Sequence, residues 1–102
     1  MIGAFFTGLF LFNSLPHLIK GITGQTHMTP IKKGSSAYLN IVWAFANITL
    51  SIIIANISNI DLKLTNPNTN ELLSFLVGGF FISMADAQLF SKPNAKLPWH
   101  KD

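Results

Sequence analysis

Three hydrophobic stretches, residues 2–19, 37–56 and 72–90, occupy most of a 102-residue chain. Between them they hold no lysine and a single carboxylate, Asp86. Each stretch is close to the roughly 20 residues that an α-helix needs to cross about 30 Å of hydrocarbon. Inside a bilayer every backbone N–H and C=O must be satisfied within the segment, which leaves a helix as the solution for runs of this length. The expectation is an all-α, polytopic transmembrane bundle of three membrane-spanning helices, a single membrane domain over residues 1–102 with the lipid bilayer as its first partner. Three helices bury little of one another's surface, so assembly into a homo-oligomer or with a larger membrane-protein partner is expected as well.

Charge supports that reading. Only 11% of the residues are charged, where a soluble domain carries about a quarter, and nearly all of them lie outside the stretches. The net charge of +3 comes from seven lysines and no arginine. A nucleic-acid site would gather basic residues, with arginines for bidentate contacts, so a nucleic-acid partner is not expected. There is no cysteine, which removes thiolate and disulfide chemistry. The first stretch has no basic leader and no small-residue cleavage motif, so it reads as an uncleaved span.

The lysines set the expected topology. The loop 20–36 holds Lys20, Lys32 and Lys33, and the tail 91–102 holds Lys92, Lys96 and Lys101. With three crossings, that loop and that tail share one side. The loop 57–71, with Asp61, Lys63 and Glu71, lies with the N-terminus on the other. Lysine accumulates on the cytoplasmic side. The expected orientation therefore has the N-terminus outside and the C-terminus cytoplasmic. Ser35 or Ser36 is placed to cap the second span, and Asn68 with Glu71 resembles a capping box for the third. Tyr38 and Trp99 fall where interfacial aromatics settle.

The polar residues inside the spans are the candidate site. An ionisable group in hydrocarbon is costly, so it normally faces protein or water and marks function. Asn13 and His17 share a face of the first span with Pro16, which frees the carbonyl of Phe12. Asn40, Trp43 and Asn47 share a face of the second, and Gly79, Ser83 and Asp86 one of the third. With the topology above, all these faces lie toward the cytoplasmic end. Convergence is the cheaper arrangement, because a polar residue facing lipid is unsatisfied. The expected ligand- or proton-binding set is Asp86, His17, Asn40, Asn13, Asn47, Ser83 and Trp43. Asp86 needs a partner or a proton, with His17 the nearest titratable candidate and Lys20 the next.

Other features read more plainly. Gly3-x3-Thr7, Ala4-x3-Gly8 and Gly79-x3-Ser83 are small-residue patterns that permit close helix contact, within the chain or between copies. Trp43 is a core aromatic or a stacking surface. His27 and His100 read as solvated loop residues. With His17 they match no metal motif, so neither a metal site nor a cofactor is expected. The loop 20–36 is long for so small a protein, and it reads as a lid at the mouth of the pocket or as a slack linker.

Asn13-Ser14-Leu15-Pro16-His17, Gly21-Ile22-Thr23-Gly24, Pro30, Ser35-Ser36 and Asn40-x2-Trp43-x3-Asn47 together resemble a pattern of uncharacterised small bacterial multi-span membrane proteins. The resemblance covers the first half of the chain. It implies a protein of the bacterial cytoplasmic (inner) membrane and carries no activity with it. Two main functions remain open. One is an oligomeric protein whose cytoplasm-facing pocket binds or moves a small polar or cationic species, with coupling to protons. The other is a non-catalytic accessory or assembly subunit whose polar residues are interhelical glue. A lipid-directed enzyme using His17 and Asp86 as acid and base stands behind both, because no nucleophile is evident.

Overall fold

The computed structural model describes residues 2–31, 34–60 and 70–91. They form three helices, α1 (Ile2–Ile22), α2 (Ala37–Ser58) and α3 (Asn70–Phe90). All three are long and apolar enough to cross a membrane, and together they make an all-helical membrane domain.

Each helix extends past the apolar run from which it was expected, because a helix ends where its backbone is capped rather than where hydrophobicity stops. α1 continues through Lys20 to Gly24, which takes φ 73°. Gly24 N–H then donates to the carbonyl of Gly21 at 3.1 Å and Gln25 N–H to that of Lys20 at 2.9 Å. This is the Schellman closure that a left-handed glycine permits. α2 opens on Ser36, whose hydroxyl accepts from Leu39 N–H at 3.1 Å. It closes on Asn59, the other left-handed residue, at φ 51°. Ser35, the alternative cap, is instead fully buried in the loop. The capping box expected at Asn68, the lysines at 32, 33 and 63, and the tail with Trp99 lie outside the described residues.

α1 lies in the middle. α2 runs antiparallel along one side of it and α3 parallel along the other, and among the described residues α2 and α3 do not pack on each other. The polar faces of α2 and α3 therefore approach each other across α1 rather than packing directly together. α1 presents one flank to each neighbour, and the neighbours reach toward one another only across a cleft.

Packing inverts the soluble pattern. Apart from three residues, Ala4, Met28 and Ala44, the buried side chains are polar, among them Thr7, Ser14, His17, Asn40, Asn47 and Ser51. Large apolar groups such as Ile19, Val42, Phe45, Ile53 and Phe80 point outward. Lipid is as apolar as leucine, so helices in a bilayer associate through close contact and hydrogen bonds rather than by hiding leucines from water. The small residues serve contacts within the chain. A methyl group on Gly8 would overlap the backbone carbonyl of Phe75, one on Gly78 that of Phe5, and one on Gly3 the side chain of Ser58.

The connection from α1 to α2 is folded. His27 N–H donates to the carbonyl of Ser35 at 3.1 Å, closing an antiparallel bridge. Inside that bridge the hydroxyls of Thr29 and Ser35 meet at 2.7 Å, both buried.

Candidate functional site

The cleft between α2 and α3 contains a cavity of about 200 Å³ at the end of the bundle where α1 meets the loop. α1 forms its floor with Asn13 and His17. Trp43 of α2 stands on one side and Asp86 of α3 on the other, and Met28, Thr29 and Pro30 of the loop line it as well. Four residues of the expected set thus line one cavity: Asn13, His17, Trp43 and Asp86. The loop is a structured part of the cavity rather than a slack linker.

Two asparagines orient the two titratable groups. Asn40 is completely buried and lies behind His17 rather than on the cavity wall. Its Nδ2 donates to three carbonyls, those of His27 at 3.1 Å, Ser35 at 3.1 Å and Ser36 at 3.0 Å. Three acceptors on one side identify the nitrogen of this amide, so its oxygen is the atom 2.9 Å from His17 Nδ1. An amide oxygen only accepts, so Nδ1 carries the imidazole proton. Nε2 is left with its lone pair available to the cavity that His17 lines. Asn40 thereby ties the loop backbone to the tautomer of His17.

Asn13 plays the corresponding part for Asp86. In one orientation its Nδ2 donates to Asn47 Oδ1 at 3.3 Å, and its oxygen then faces the Asp86 carboxyl, a contact that needs a proton on Asp86. Turned over, Asn13 Nδ2 lies 2.7 Å from Asp86 Oδ2 and 3.2 Å from Oδ1, which suits the ionised acid. The Asn13 oxygen then faces Asn47 Oδ1 at 3.3 Å, acceptor against acceptor. Asn47 cannot turn to relieve this without giving up the bond from its Nδ2 to the carbonyl of Trp43 at 2.9 Å. Each orientation of Asn13 therefore matches one charge state of Asp86, and the chain Asp86–Asn13–Asn47 crosses all three helices.

The expected pairing of Asp86 with His17 is not made. Both border the cavity, but His17 is drawn to Asn40 and Asp86 to Asn13, each by a neutral amide at closer reach. Lys20, the other expected partner, turns outward to Gln25 at 3.0 Å. Ser83 also departs from expectation. Its hydroxyl donates to the carbonyl of Gly79 at 2.7 Å, and it lies on a separate, more open hollow with Phe12 and Pro16, which Asp86 also borders. Asn47 stands behind Trp43 and outside the main cavity.

His27, expected in solvent, is half-buried at the rim. Its ring centroid is 4.4 Å from that of Phe90 and 5.3 Å from that of His17. Burial first, then the proximity of His17 and Lys20, pushes it down to about 4, so it is neutral at neutral pH. Among the described residues two buried side-chain nitrogens have no hydrogen-bond partner, His27 Nε2 and Trp43 Nε1. Sequence reasoning missed His27, Phe90 and the 28–30 segment because their roles depend on how the loop folds back. Gly78 was missed because the small-residue pattern was read from Gly79. Two adjacent glycines in an apolar helix were the available signal.

Among the described residues no group of three or more His, Asp or Glu side chains gathers as a metal site would require. No protein-family model, curated protein or solved structure matches the chain.

Proposed function

We propose that this chain is a bacterial inner-membrane protein whose cytoplasm-facing intramembrane pocket binds or moves a small polar or cationic species with coupling to protons. The observation that carries the reading is the cavity itself. It is lined by an acid, an imidazole with an available lone pair and an indole ring, under a loop pinned by Asn40. Proton coupling draws on Asn13, since a change in the charge of Asp86 has to be answered by an amide rotation felt on α2. The six lysines of the first loop and tail favour the cytoplasmic side for the pocket, with the N-terminus outside. The outward apolar faces of α2 and α3 leave room for a second copy or a larger membrane partner.

The test is flux in proteoliposomes loaded with a pH-sensitive dye. Sodium, potassium and small organic cations are offered in turn, comparing the native chain with Asp86→Asn. Asparagine keeps the shape and removes the charge. Solute-dependent proton movement that vanishes in Asp86→Asn, with the melting temperature preserved, is the expected result.

The second reading is an accessory subunit in which the same residues are glue. It is favoured by the internal partners that His17, Asn13, Asn47 and Ser51 already have. Absence of flux with every solute, together with a marked loss of stability in Asp86→Asn, would select it and end the pocket proposal.

A further inference from the structure

We infer that the ligand of this pocket is a small organic ammonium rather than an inorganic cation. The inference rests on the reading of the cavity as a binding site and adds the chemical class.

Size is the first argument. A dry engineered cavity of about 150 Å³ accommodates benzene, so about 200 Å³ has room for a small organic molecule. The composition of the wall is the second. Hard inorganic cations are held by cages of several oxygens. Here the wall offers the Asp86 carboxyl, the Asn13 amide and a Thr29 hydroxyl already bonded to Ser35. The rest is apolar, including Ile82, Leu89 and Phe90. A primary ammonium suits such a wall. Its N–H groups donate to Asp86 and to the lone pair left on His17 Nε2, and its carbon chain lies against the apolar side. The indole and phenyl rings of Trp43 and Phe90 add π faces that attract an ammonium.

Such an ammonium occurs free in solution and in the headgroup of an aminophospholipid.

The experiment uses the full chain carrying Trp99→Phe, so that Trp43 is the one tryptophan, in phosphatidylcholine nanodiscs. Ethanolamine, ethylamine, ethylene glycol and sodium chloride are titrated against Trp43 emission. Ethanolamine and ethylamine are both expected to give a saturable change, and glycol and sodium to give none. Asp86→Asn is expected to weaken ethanolamine about tenfold. Radiolabelled ethanolamine extends the measurement to His17→Phe, which removes the second acceptor and should weaken binding about tenfold even if Asp86→Asn does not fold.

Nanodiscs containing phosphatidylethanolamine separate the two sources. A Trp43 signal already shifted there, and insensitive to added ethanolamine, assigns the headgroup; an undiminished response assigns the free amine. Saturation by sodium or glycol without either amine overturns the ammonium class and leaves the pocket reading standing. Silence toward every probe, in both nanodisc types, overturns both.

Discussion

The seam between α1 and α2 is held by hydrogen bonds, from Ser51 to the carbonyl of Thr7 at 2.9 Å, between Asn13 and Asn47, and between His17 and Asn40. The seam between α1 and α3 is a close backbone contact at Gly8 and Gly78. Beside it Phe12 packs on Phe75 and Phe5 on Phe81, with one polar pair at Asn13 and Asp86. Hydrogen bonds are directional and fix register at named points. Dispersion across a glycine surface holds helices close but discriminates little between small shifts along the axis. In this chain α2 is held on α1 by hydrogen bonds at three points, whereas α3 meets α1 through the one polar pair. The site is thus built across a rigid seam and a compliant one.

The strongest way to break that comparison is to fill the glycine seam. Gly8→Leu meets backbone rather than a movable side chain, and overpacking of this kind costs about 3 kcal/mol. Thermal unfolding should register the loss, and hydrogen exchange should rise in α3 while the α1–α2 pair stays protected. Equal loss of protection in all three helices would show that the seams are not separable. Next in size is Asn40→Leu. It removes the donor to three loop carbonyls and the acceptor of His17, at a cost of about 2 kcal/mol. Exchange should open residues 25–31 first, and nitrogen NMR of His17 should report loss of the Nδ1–H form. A tautomer unchanged by the substitution would contradict the role given to Asn40.

Ser51→Ala is milder. Interhelical hydrogen bonds in bilayers average about 0.6 kcal/mol, and stability in detergent should fall by that order without any effect on the cavity. The smallest effect concerns pH. His27 is held near 4, below its ordinary 6.5, so the unfolded chain takes up the proton before the folded one does. Stability is then complete above about pH 6.5 and declines as the pH falls toward 4. His27→Phe keeps a ring against Phe90 and should flatten that part of the profile. A slope in the variant equal to that of the native chain would assign the decline to another group.

Much of this could be read from the residues. The spans were legible because run length and charge exclusion are local properties, and Asp86, His17, Asn13 and Trp43 stood out because polar groups are rare in hydrocarbon. The partner of each was not legible. Asp86 and His17 were the natural pair by charge, yet each settles on an amide, because whether two side chains meet depends on the rotation of each helix about its own axis. Helical spacing places residues on a face and leaves open which neighbour that face meets. His27 looked like any loop histidine until the bridge to Ser35 turned it inward.

What the sequence by itself determined is the number of helices, their approximate limits and the end of the bundle where polar groups collect. These follow from hydrophobic length, lysine placement and caps that act over a few residues. The tertiary structure alone decided that α1 is central, that α2 and α3 face each other across a cavity, and that the loop lines it. Those outcomes depend on which glycines allow backbones to touch and on hydrogen bonds that span 13 to 44 residues of chain, and no local pattern encodes them.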